Sequence, residues 1–140
     1  MSDDPSDSPT VVLSDRQELP TDHGALIDLA RRTLDAEGAG AVELSVSLVS
    51  TEEMDDLHRR YLDVAGPTDV LSFTLDEDGL LGDVVICPEV ASSRTEELGA
   101  ELRLLLVHGI LHLLGYDHEG DEERRAMWER QARYSGVALP

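Results

Sequence analysis

Three histidines, His108, His112 and His118, stand four and six residues apart in the run His108-Gly109-Ile110-Leu111-His112-Leu113-Leu114-Gly115-Tyr116-Asp117-His118. On a helix, residues four apart lie one turn above each other on the same face. Gly115 can take up a left-handed backbone that ends the helix, so that His118 can fold back toward the other two. Three neutral imidazole nitrogens converging on one point suit a zinc ion of catalytic type, one per chain, with a fourth position left for water. Such an ion lowers the pKa of bound water from about 15.7 to near 7 and polarises a phosphoryl oxygen. The competing readings are a structural zinc, or buried histidines without metal. Structural zinc usually closes with four protein ligands, often cysteines. Cys87, the one cysteine, is distant in sequence and precedes Pro88, and reads as a small core residue at a strand end.

What lies between the histidines narrows the chemistry. The spacing matches that of metzincin peptidases, which place a glutamate directly after the first histidine as general base. Here that residue is Gly109, which has no proton acceptor, so metal-assisted hydrolysis survives but a normal peptidase mechanism lacks its base. A glycine inside a helix costs roughly 1 kcal/mol relative to alanine, which points to a close approach that a side chain would block. Asp117 has two readings: orienting an imidazole or taking part in proton transfer, or capping the turn after Leu114. His58, on a polar helix face, and His23, near a helix start, read as solvated.

These residues need a scaffold, and the chain pattern supplies one. Val11 to Leu13 is a candidate first strand, and Asp22 caps a helix to about Glu37, with Leu26, Leu29, Ala30, Thr33 and Leu34 on one face and Gly38 as its stop. Alternation from Val42 to Leu48 predicts a strand with one buried face. Ser50 or Thr51 caps a second helix with Met54, Leu57 and Tyr61 inward. A strand from Val70 to Leu75, a turn at Asp76-Glu77-Asp78-Gly79 and a strand from Asp83 to Cys87 follow. Helices are expected at about Pro88 to Leu98, at Gly99 to Leu114 (apolar nearly all round, hence central) and from Asp121 to about Tyr134, the last with Met127, Trp128 and Gln131 or Ala132 inward. This order gives a single α/β (α+β) layered domain over residues 11–140, behind a polar, acidic tail at residues 1–10 expected to be disordered.

At 140 residues the chain is long enough for one domain with a real core. The net charge of −19 is shared: −5 in the first 22 residues and −14 in the remainder. Such acidity argues against anionic membranes and indiscriminate DNA binding, whereas a local arginine patch can still meet RNA. All eleven basic residues are arginine. A lone cysteine suits a reducing cytoplasm, the N-terminus lacks signal-peptide character, and the longest apolar stretch, Leu104 to Leu114, is too short to span a bilayer. A cytoplasmic protein is expected.

The histidine run resembles the signature of the YbeY family, bacterial rRNA maturation factors described as single-strand-specific metallo-endoribonucleases. Pro67-Thr68-Asp69-Val70-Leu71-Ser72-Phe73 and Leu81-Gly82-Asp83-Val84-Val85-Ile86 are similar to two further family segments, in the family's order. The resemblance spans about residues 11–136. It implies a zincin-like domain with a small mixed sheet and a central metal helix, and zinc held by His108, His112 and His118. It also implies a role in maturing the 3′ end of small-subunit rRNA and in ribosome quality control, with rRNA, the small subunit and assembly factors as partners.

By the same resemblance Thr68, Asp69 and Ser72 lie near the cleft. Asp69 and Asp117 are the candidate catalytic carboxylates beside the metal-bound water. Asp69 can equally bond backbone amides in a turn, and Asp83 reads either as a cleft acid or as a capped strand start. Many relatives carry an arginine where this chain has Leu62, so Arg59 and Arg60 are the candidate phosphate contacts, with Arg94, Arg103, Arg124 and Arg125 behind them. Helix-surface pairing with acids explains most of these arginines as well. Beside the endoribonuclease stand two other readings: a ribosome-assembly binding module with a structural zinc, and a metal-dependent hydrolase or peptidase on another substrate.

Overall fold

The computed structural model describes residues 8–62, 66, 68–77, 79–116 and 120–137, without the side chains of 76 and 77. Its elements run β1 (Thr10–Arg16), α1 (His23–Ala36), β2 (Glu43–Val49), α2 (Thr51–Leu62), β3 (Val70–Glu77), β4 (Leu80–Ile86), α3 (Pro88–Ser92), α4 (Leu98–Leu113) and α5 (Asp121–Ser135). The strands form one mixed sheet in the order β1-β2-β4-β3. The first three are parallel, and β3 runs antiparallel to β4 along one edge. α1, α4 and α5 pack together on one face of the sheet and α2 covers part of the other. Among the described residues no helix is long and apolar enough to cross a membrane.

The local chemistry explains the element ends. The Asp22 carboxylate accepts the amide of Ala25 at 3.0 Å and caps α1, and the five predicted apolar-face residues of α1 are its buried ones. The Ser50 hydroxyl accepts the Glu53 amide at 3.2 Å and caps α2. β1 is longer than Val11 to Leu13 because parallel pairing with β2 runs the full length from Thr10 to Arg16. β3 extends to Glu77, into the acidic stretch expected to turn, and Gly79 has a φ of +81°. The helix expected from Pro88 to Leu98 ends at Ser92, and α4 begins one residue early at Leu98.

Three side-chain expectations need correction. β2 is not one-faced: it lies between β1 and β4 with helices on both sides, so Ser47 is buried as deeply as its apolar neighbours. Tyr61 is 59% exposed and Trp128 44% exposed rather than inward. Tyr61 leans edge-on against Phe73 with ring centroids 5.2 Å apart, while the Arg124 guanidinium lies 5.9 Å from the Trp128 ring. Tyr61 thus keeps an aromatic contact and Trp128 a cation–π contact at the rim of the core, and neither ring enters it.

Two glycines set how closely α4 approaches the sheet. A Cβ on Gly109 would sit 2.6 Å from Cγ1 of Val84 on β4 and 3.0 Å from the Ser72 hydroxyl on β3. A Cβ on Gly82 of β4 would meet the Phe73 carbonyl at 2.4 Å and the Leu113 side chain at 2.8 Å. The close approach expected at Gly109 is therefore that of the sheet itself. Around it Leu102, Leu105, Leu106, Val107, Ile110, Leu111 and Leu113 of α4 are buried, which makes α4 the centre of the larger core.

Asp83 falls on the opposite face. Its pairing places it beside Ser45 of β2 and Phe73 of β3, and the Ser47 hydroxyl donates to its carboxylate at 3.2 Å. With Leu57, Phe73 and Val85 it lines a hollow between α2 and the sheet, rimmed by the Arg16–Glu53 ion pair. It is thus neither an acid of the histidine cleft nor a strand cap, since strand alternation turns it away from α4. Burial raises its pKa above the ordinary aspartate value, against the hydroxyls of Ser45 and Ser47 and the charge of Arg16.

Two outcomes follow from this packing. Gly109→Ala should lower stability by about 1–3 kcal/mol in urea unfolding despite its better helix propensity, and Val84→Ala in the same chain should recover much of the loss. Stability equal to the parent's would show that the contact gives way without strain. Asp83→Asn should raise the melting temperature at pH 7. A carboxyl whose folded pKa is raised favours folding when protonated, and loses that contribution as pH rises through the folded value. The gain should fade on acidification toward the unfolded aspartate value of about 3.9; a gain that persists in acid, or none at pH 7, would count against the carboxylate's charge as the cause.

Candidate metal centre and cleft

The last turns of α4 carry the site. His108 and His112 project from one side of the helix and meet edge-to-face, with ring centroids 4.6 Å apart and planes at 80°. With Leu62, Val70, Leu71, Ser72 and Thr74 they line an open cleft of about 360 Å³ between α4 and the edge strand β3. The Ser72 hydroxyl donates to the Gly109 carbonyl at 3.2 Å and ties that strand to the helix between the two histidines. Gly115, at φ +102°, ends α4: its amide bonds the His112 carbonyl and the Tyr116 amide the Leu111 carbonyl, each at 3.0 Å. His112 stands in the last turn, where the negative end of the helix dipole favours a nearby cation.

Sequence reasoning assigned Gln131 only to packing, yet its side chain reaches the site. Its Oε1 lies 2.7 Å from Nδ1 of His108. An amide oxygen only accepts, so Nδ1 holds the proton and the lone pair resides on Nε2. That is the outer hydrogen bond a metal-ligating imidazole needs to fix its tautomer and ring plane, and the pair therefore fits a bound metal. The one signal for it in the sequence is a polar residue one turn after Met127 on the buried stripe of α5. Among the described residues no three histidine, cysteine or acidic side chains stand together as a metal-binding group. His118 and Asp117 lie outside the described residues, as does Pro67.

The other predicted residues divide. Ser72 lines the cleft, whereas Thr68, Asp69, Arg59 and Arg60 are not among its described lining residues. Asp69 pairs with Arg94 at 2.6 Å, and its carbonyl accepts the Cys87 amide at 2.9 Å. Thr68 stands beside it, its hydroxyl 3.5 Å from the Asp69 carboxylate. Arg59 and Arg60 pair along α2 with Asp55 and Asp56 at 3.2 and 2.9 Å. Arg103 donates to the Ser135 carbonyl at 3.1 Å and holds α4 to α5. Leu62 forms part of the cleft wall.

Neither remaining histidine is simply solvated. His58 Nδ1 lies 2.7 Å from the Gly66 carbonyl, and Asp55 accepts the Gly66 amide at 2.7 Å, so together they hold Gly66 against α2. His23 Nε2 lies 2.7 Å from the Asp15 carboxylate. Cys87 is fully buried, as expected of a small core residue.

The profile of the family described as Endoribonuclease YbeY matches residues 10–136. The Endoribonuclease YbeY of Streptomyces griseus is 45% identical over 130 residues, covering 79% of this chain and 79% of its own. That of Thermobifida fusca is 45% identical over 138 residues, covering 87% of this chain and 89% of its own. The solution structure of TM1509 from Thermotoga maritima superposes with a TM-score of 0.62 at 30% identity, over 91% of this chain and 86% of that one. On three matching segments, the shared fold and these identities, the chain belongs to the Endoribonuclease YbeY family.

Proposed function

We propose that this protein is a cytoplasmic, zinc-dependent endoribonuclease specific for single strands. It acts in maturing the 3′ end of small-subunit rRNA and in ribosome quality control, with rRNA, the small subunit and assembly factors as its partners. The observation that carries the reading is the pair His108 and His112 on an open cleft, with the Gln131 amide oxygen on Nδ1 of the first and its Nε2 left for a metal. Family membership supports RNA as the substrate. His118 is the third ligand in this reading.

Bound at these imidazoles, zinc would supply an acidified water and a Lewis acid toward a phosphoryl oxygen. The chain itself supplies orientation. Gln131 holds the His108 ring, and Ser72 fixes the edge strand against the helix. Leu62 and Val70 form apolar wall on which an unstacked base can lie, and single-stranded RNA can offer such a base where a duplex cannot. The Gly109 contacts weigh against a peptidase: the position where a glutamate base would stand is filled by Val84 and Ser72.

His112→Ala, purified alongside the parent, should lose bound zinc and more than about a hundredfold of its cleavage of a single-stranded oligoribonucleotide while staying folded. Cleavage that persists in this variant, or in metal-stripped parent, would overturn the mechanism; unfolding together with zinc loss would instead favour an assembly module whose metal is structural. Gln131→Leu keeps the bulk and removes the acceptor. It should weaken zinc binding by about 10–100-fold in a chelator competition, and unchanged affinity would show that the ring is oriented without it.

A further inference from the structure

The hollow between α2 and the sheet has a volume of about 440 Å³ and plays no part in the histidine cleft. Leu57, Phe73 and Val85 line it, and Tyr61 and Leu75 stand at its mouth, 59% and 48% exposed. Large apolar side chains left in water around a concave apolar surface mark a place where something binds. Two acids also line the hollow. Glu53 is matched by the Arg16 guanidinium at 2.8 Å. Asp83 accepts the hydroxyls of Ser45 and Ser47, which account for two of the roughly four acceptor positions of a carboxylate. Acceptor capacity therefore remains on its side toward the hollow. Burial raises the Asp83 pKa in spite of these hydroxyls, so the fold bears a cost for keeping an acid at this point.

The hollow and the cleft lie on opposite faces of the sheet but meet at its edge. Thr74 of β3 borders both, and the successive residues Tyr61 and Leu62 at the end of α2 line one each. A single strand of RNA that crosses the outer edge of β3 can thus hold a phosphate at the histidines and a base in the hollow. Arg59 and Arg60, the nearby cations of α2, pair with Asp55 and Asp56, which shifts the work of recognition toward the bases. Aromatic rings stack on bases, and polar side chains read their Watson–Crick edges. On that edge guanine sets two donors side by side, N1–H and the N2 amino group, which match the two oxygens of one carboxylate; the other bases offer a single donor group. We propose that the hollow is a subsite for a guanine base of single-stranded RNA, with Tyr61 and Phe73 against the ring and Asp83 accepting from N1 and N2. The inference rests on RNA as the substrate and adds to that reading a preferred base and the residue that selects it.

Binding of fluorescent 2′-O-methyl oligouridylates to the full chain, followed by anisotropy, tests this without reference to cleavage. One central guanine should tighten binding by about tenfold or more over uridine, and inosine, which lacks the N2 amino group, should lose most of that gain. Asp83→Asn removes one acceptor and should erase the preference for guanine over inosine. Tyr61→Ala should weaken the guanine oligonucleotide by about tenfold, and Tyr61→Phe, which keeps the ring, should bind it like the parent. His112→Ala should retain the preference, since the subsite does not depend on the metal. In amide NMR spectra the guanine oligonucleotide should shift Leu57, Phe73 and Val85. Equal affinity for guanine, inosine and uridine, or a preference that survives Asp83→Asn, would overturn the subsite and leave the RNA reading standing. Failure of every oligonucleotide to bind would remove both. Shifts at those amides caused by an arginine-bearing peptide, and not by the guanine oligonucleotide, would give the hollow to a protein partner and overturn the proposal.

Discussion

The distance between α4 and the sheet is the constraint on which the rest depends. It is set where Gly109 meets Val84 and Ser72 and where Gly82 meets Leu113. A helix drawn in this far buries apolar side chains on most of its circumference and becomes the axis of the core. The same approach puts the Ser72 hydroxyl on the Gly109 carbonyl and leaves the two histidines facing out over the edge strand. Packing and chemistry share one contact: the residue type that allows the core to close is also the one that leaves no base beside His108.

Polar contacts then fix what packing alone leaves loose. Apolar burial holds α4 against the sheet but is non-directional, so it does not choose an imidazole tautomer. Gln131 makes that choice from α5, and Arg103 ties α4 and α5 together at the Ser135 carbonyl. On the other face Asp83 keeps a carboxylate among Ser47, Phe73 and Val85 with a raised pKa. With Ser45 and Ser47 it makes a polar patch on a sheet surface that α2 covers only in part, separated from the histidine cleft by the sheet itself.

Much of this is legible in the residues, for physical reasons that differ from element to element. His108 and His112 can be placed on one face because helical periodicity is local, and Gly115 signals its left-handed turn because other residues rarely adopt one. Gly109 announces a close approach because glycine inside a helix is otherwise unfavourable, though not what approaches. The buried serine of β2 is hidden because alternation cannot show that a strand is central. Asp83 is ambiguous until strand order decides its face. Gln131 is the least accessible: its partner lies 23 residues away, and no local pattern encodes an acceptor aimed from one helix at another.

The dependence of the centre on α5 bears on the order in which the molecule is made. During synthesis α1, the sheet and α4 leave the ribosome before Gln131 does. Until α5 docks, His108 lacks its amide partner. The histidines are therefore present in the nascent chain before they are organised. The hydrogen bond to His108 is a long-range contact that needs the layer of helices closed, and a chain halted before α5 has the histidines without Gln131.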